Sequence, residues 1–115
     1  MEHKMKLYEE SFKQLKNGKK KREYRLNDDK RKKIKVGDTI RFCKLPNLDE
    51  ELIVSVTKVE VFSNWYDCYE KYFEEDFKDK YDRVEDVVED TYRGGYYTKE
   101  ESDKYGCVVF TTKKA

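Results

Sequence analysis

Lys20 and Glu23 lie three residues apart inside a run of cations, Lys-Lys-Lys-Arg-Glu-Tyr-Arg over residues 19–25. An ammonium donates to phosphate or carbonyl oxygen, and a carboxylate accepts from a base amino group, so the pair suits recognition of an anionic ligand. A separation of three puts the two on opposite faces of an ideal strand, and only a bend after Gly18 brings both to one cleft. The alternative is a structural ion pair beneath a strand. Lys21, Arg22, Arg25 and Arg31 extend the same basic field. Arg25 and Arg93 carry the planar fork that grips phosphate or carboxylate bidentately, although Arg25 is equally placed to pair with Asp38 or Glu23. Tyr24, Tyr96 and Tyr97 offer rings on which an unpaired base can stack. With ten tyrosines in the chain, most rings must nonetheless be core or rim.

Other chemistries are poorly supplied. His3 is the one histidine and sits at the terminus, where residues are usually mobile, so no Ser–His–Asp or Cys–His arrangement can be built. Cys43, Cys68 and Cys107 are odd in number and lack Cys-x-x-Cys spacing, which points to reduced thiols in a cytoplasmic protein and away from zinc. The acidic residues 74–90 have no calcium-loop spacing and read as a solvated helix face. Neither a metal nor a cofactor is expected. The N-terminal residues lack the apolar stretch of a signal peptide, and no apolar run is long enough to span a bilayer.

The composition bounds the rest. A chain of 115 residues fits one domain, with 37% apolar and 44% charged residues giving a small core under a heavily charged surface. Aromatics at 15% argue against disorder, because their rings bury enough area to offset the entropy of ordering. Net charge is +1, but residues 1–44 hold sixteen Lys and Arg against seven Asp and Glu, a balance of +9. Residues 45–106 hold eight against eighteen, a balance of −10. Such a split means a basic pole that attracts phosphates, or two poles that neutralise each other across the fold.

Periodicity supplies the elements that must position these groups. Met5, Tyr8, Phe12 and Leu15 fall on one helical face, predicting a helix over about 6–17 closed by Gly18. Residues 20–26 read as an extended segment, followed by a short turn capped by Asn27. Val36-Gly37-Asp38 is a turn, and 39–45 and 52–62 are strands of a hairpin. The apolar phase of the longer strand shifts near Thr57-Lys58, as a β-bulge would produce. Ser63 or Asn64 caps an aromatic helix carrying Trp65, Tyr66, Tyr69, Tyr72 and Phe73. A helix over 83–91 ends at Gly94-Gly95, Thr98 to Glu101 is a capping box, and Cys107–Thr112 is a strand buried on both faces.

The order helix, Gly18-Lys19-Lys20-Lys21-Arg22-Glu23-Tyr24-Arg25-Leu26, Asp29-Lys30-Arg31, then Ile34 to Phe42 with Gly37-Asp38, and finally Lys104-Tyr105-Gly106-Cys107-Val108-Val109, resembles the ASCH family over about Lys6 to Phe110. The resemblance implies an α+β fold, a PUA-like small mixed β-barrel flanked by helices, with a cleft beside the Gly-Lys segment. It also implies binding of RNA or a nucleotide. Some small members resembling this chain are amidohydrolases on acetylated cytidine, and a ribonuclease activity is attributed to at least one. In the amidohydrolases a Lys, a Thr three residues on and a distant Glu are catalytic. Lys20 stands at the Lys position and Glu23 at the Thr position, so the hydroxyl is missing. As an enzyme, this chain would rely on Lys20 as base with Glu23 as relay or orienter.

Overall fold

A computed structural model describes residues 1–95 and 97–115. Five strands and six helices occur among them, in the order β1 (Glu2–Leu7), α1 (Glu9–Lys16), β2 (Arg22–Leu26), α2 (Asp29–Lys32), β3 (Thr39–Lys44), β4 (Glu51–Phe62), α3 (Trp65–Lys71), α4 (Phe73–Asp76), α5 (Val84–Arg93), α6 (Lys99–Tyr105) and β5 (Cys107–Lys114). The strands form one sheet in the order β1-β3-β4-β5-β2. The α+β class read from the sequence is the class the chain adopts. The residues gather into two compact units: 1–23, 34–59 and 110–115 in the first, and 24–33 with 60–109 in the second.

In the first unit the N-terminus is a strand, where the sequence reading places a mobile tail and the start of a helix. Met5 and Leu7 are buried while Lys4 and Lys6 are exposed, the period-two pattern of a sheet. Met5 therefore belongs to β1 and not to the helical stripe it imitates. β1 runs parallel to β3, with Met5 opposite Phe42, and β3 runs antiparallel to β4, with Ile40 opposite Val54. Helix α1 starts two residues after β1. Glu9 and Glu10 stand in its first turn and Lys13 and Lys16 in its last, each favoured by the helix dipole. Its buried side chains are Phe12 and Leu15, whereas Tyr8 is 58% exposed.

The turn at Gly37 forms as expected, with φ +94 at the glycine. His3, expected to be idle, points at this turn. Its Nε2 donates to Asp38 Oδ2 at 2.8 Å, and the Lys35 N–H donates to the same oxygen at 3.0 Å. These bonds, that of His3 foremost, lower the Asp38 pKa from 3.8 to about 2. A folded value below the unfolded one means that this carboxylate stabilises the fold above about pH 4, and that the contribution disappears as pH falls through about 2. Acid unfolding of the wild type, followed by circular dichroism, should steepen across that window, and Asp38→Asn should remove the steepening.

The second unit is an aromatic core. Leu26, Trp65, Cys68, Tyr69, Tyr72, Val87, Cys107 and Val109 are buried together. Asn64 caps α3, its side chain accepting from the Asp67 N–H at 2.8 Å. Thr98 and Glu101 make the reciprocal capping box of α6. Cys107 to Phe110 are all buried, as expected for a strand covered on both faces.

Several local readings change. The cap of α2 is Asp28, accepting from the Arg31 N–H at 3.1 Å; Asn27 is buried and its N–H donates to Gly106 O. The alternation of β4 is interrupted at Thr57 and Lys58, both exposed, but beyond them Val59 is only half-buried and Val61 is 59% exposed, while Glu60 and Phe62 are half-buried. Glu60 tolerates that position because Lys71 and Tyr72 both donate to its carboxylate. Tyr66 lies outside the aromatic stripe at 41% exposure.

Candidate functional site

The first unit carries the candidate site, and its construction begins at the end of α1. Gly18 takes φ +83, a conformation open to glycine at no steric cost, and no atom lies within 4 Å of where its Cβ would be. The Lys20 N–H then donates to Gln14 O at 3.1 Å, folding the chain back on the helix. This is the bend that converts a three-residue separation into a contact. Lys20 Nζ donates to Glu23 Oε1 at 2.8 Å, with the Lys20 side chain 22% exposed and that of Glu23 5% exposed.

β5 holds the other wall. Thr112 donates to Lys21 O through its N–H at 2.9 Å and its hydroxyl at 3.4 Å, so Lys113 and Lys114 follow directly beside the start of β2. The result is a cavity of about 410 Å³, with Leu15 and Val54 as its apolar lining and Lys20, Lys21, Lys113 and Lys114 as its cations. Lys113 and Lys114 escape the sequence reading. The only trace of them there is two adjacent lysines after an apolar strand, and nothing local says that strand returns to Lys21.

The remaining candidates are dispersed. Arg22 is half-buried in β2 and engaged within the protein. Tyr24, Arg25, Arg31, Arg93 and Tyr97 belong to the second unit. Tyr24 donates its hydroxyl to Asp76 and packs its ring against Tyr69 and Phe77, with centroids 5.5 and 5.0 Å away. Tyr97 stacks on Trp65 at 5.3 Å. Arg25 is half-buried and engaged. Arg31 is held by Asp28 at 2.9 Å. Arg93 is exposed at the end of α5 beside Glu89 and Asp90. Tyr96 lies outside the described residues. Lys20, Lys21 and Glu23 are thus the predicted residues that the first unit brings to one place.

Elsewhere, Cys43, Cys68 and Cys107 are free and buried. Contact with the Cys107 thiol, together with burial, pushes the Cys68 thiol far up and keeps it protonated, unsuited to nucleophilic attack. Among the described residues, no group of three or more His, Cys, Asp or Glu is arranged to hold a metal ion. No helix among them is long and apolar enough to cross a membrane.

Comparison with known proteins fits this architecture. A family model for the ASCH domain matches residues 5–114. The crystal structure of hypothetical protein PH0355 is 35% identical, covers 100% of both chains and superposes with a TM-score of 0.83. The solution structure of protein PF0455 from Pyrococcus furiosus is 33% identical over 99% of this chain and 97% of its own, with a TM-score of 0.73. A mutant of ZmASCH from Zymomonas mobilis shares the fold at 13% identity and a TM-score of 0.62, covering 98% of this chain and 68% of its own. No curated protein matches the chain. The class is a small α+β protein of PUA-like fold. The chain belongs to the ASCH domain family.

Proposed function

We propose that this chain is a single ASCH domain of the cytoplasm that binds RNA or a nucleotide in the cleft of its first unit. The observation that carries the reading is the cavity of about 410 Å³ lined by four lysines over an apolar wall of Leu15 and Val54. Cations of this density attract phosphate, and an apolar wall suits the flat face of a base or the sugar. Glu23, buried behind the cavity, anchors Lys20 at its edge. Three buried free cysteines accord with a reducing compartment.

The test is fluorescence anisotropy with single-stranded RNA and with nucleotides at two salt concentrations. Affinity should fall steeply between about 50 and 200 mM salt, as counterion release requires. Lys20→Ala should weaken binding roughly tenfold, the loss of one charge-assisted contact. Absence of binding to any RNA or nucleotide at low salt would refute the reading.

A hydrolase is the second reading, favoured by the Lys20–Glu23 contact at 2.8 Å. There Lys20 serves as base or as donor to a developing oxyanion, and Glu23 orients it. Incubation with acetylated cytidine and with mixed RNA tests it, and turnover that survives Lys20→Ala removes this mechanism.

A further inference from the structure

We infer that the cleft recognises a terminal phosphate, on a nucleotide or at the end of an RNA strand, in preference to the internal phosphodiester backbone. The inference rests on the nucleotide-binding reading above and concerns the same site.

Charge is the first argument. Lys20 is neutralised by Glu23 at 2.8 Å. Lys21, Lys113 and Lys114 have no ion-pair partner among the described residues, whereas Lys16, Lys44, Lys71 and Lys78 are each bound to a carboxylate. The cleft therefore gathers three uncompensated positive charges. An internal phosphodiester brings one negative charge. A phosphate monoester brings about 1.5 to 2 at pH 7, with a third oxygen to accept hydrogen bonds, and a di- or triphosphate brings more. Only terminal groups answer this density at a single point.

Size is the second argument. About 410 Å³ lies at the lower end of the range for small-molecule pockets and has room for about one nucleotide. Reading a continuous strand takes a groove that repeats its cations along several phosphates. Here Lys20, Lys21, Lys113 and Lys114 all line the one cavity. Lys21, just before β2, is tied to Thr112 through its backbone carbonyl, and the next two residues of β5 are Lys113 and Lys114, so the three lysines leave the backbone at adjoining points. The backbone N–H groups around the bend do not compete for the ligand, since those of Asn17, Gly18, Lys19 and Lys20 are already donated within the protein. Recognition falls to the ammonium groups, which reorient to fit a tetrahedral terminal group.

The experiment compares one short single-stranded oligoribonucleotide in its 5′-phosphate and 5′-hydroxyl forms, with a nucleoside 5′-monophosphate as a third arm, against the full chain. The 5′-phosphate form should bind at least about tenfold tighter than the 5′-hydroxyl form. Lys113→Ala/Lys114→Ala should bring that ratio close to one with the thermal midpoint unchanged, because both side chains are exposed. Displacement by the monophosphate identifies a free nucleotide as a sufficient ligand; retention of the ratio without such displacement identifies the RNA end. Equal binding of the two RNA forms, with or without the variant, overturns the inference and leaves RNA binding standing. A ratio that persists in the double variant also overturns it. No binding in any arm removes the nucleotide-binding reading itself.

Discussion

Gly106→Ala is expected to cost about 3 kcal/mol of stability, read as a shift in the urea midpoint at unchanged slope. Two penalties coincide at this residue. Its backbone takes φ 68 and ψ −164, a region populated essentially by glycine alone. A Cβ there would meet Phe62 O at 2.5 Å, a backbone atom that cannot swing aside. Nor can the segment retreat easily. The Gly106 N–H donates to Ser102 O at 2.9 Å, and its carbonyl accepts from Asn27 at 3.0 Å, so moving it breaks the end of α6 or the approach to α2. Gly18→Ala is the control. Its φ is also positive, but its surroundings are open, so strain alone acts and the cost should be about 1 kcal/mol. Equal losses in the two variants would mean that crowding against Phe62 contributes nothing.

Trp65→Ala should be costlier still, about 4 kcal/mol, and sets the stability of the second unit. The indole is 2% exposed and stacks between Tyr69 at 5.4 Å and Tyr97 at 5.3 Å. Its truncation leaves a cavity that two large rings cannot fill, because Tyr69 is itself pinned by a hydroxyl contact to Thr91 at 2.7 Å. The Nε1–H donates to Ser102 Oγ at 2.8 Å, joining α3 to α6. Trp65→Phe separates the contributions. It keeps most of the apolar volume and loses that hydrogen bond, while Ser102 still donates to Thr98 O at 2.9 Å. A loss of only about 1 to 2 kcal/mol is expected, measured by chemical denaturation of both variants. Neither substitution touches a lysine of the cleft, so RNA or nucleotide affinity measured under native conditions should survive in Trp65→Phe.

What was legible along the chain follows from range. Turn and cap chemistry is local: the turn at Gly37 closes through the Asp38 N–H to Lys35 O, Asn64 and the Thr98–Glu101 box bond within four residues, and each forms where residue type predicts. The buried run Cys107 to Phe110 was legible for a related reason, since consecutive apolar residues admit no solvent face. The errors fall where a residue's role depends on a distant partner. Met5 fits a helical stripe by spacing, but β3, more than thirty residues away, draws it into a strand. His3 gains its role from Asp38 across the same pairing. Tyr24 looks like a stacking platform beside the cations, and its ring is packed against Tyr69 and Phe77.

The candidate site divides along the same line. Residue types alone singled out Lys20 and Glu23 as the candidate pair of the basic segment, and placed before them a glycine that permits the bend that joins them. Only the tertiary structure decided that the cleft is completed by Lys113 and Lys114, carried in on the last strand and fixed to Lys21 by Thr112. Local sequence governs backbone conformation within a turn or so, whereas hydrogen bonding between strands ninety residues apart is settled by the packing of the whole sheet, and the charge of the pocket depends on that pairing.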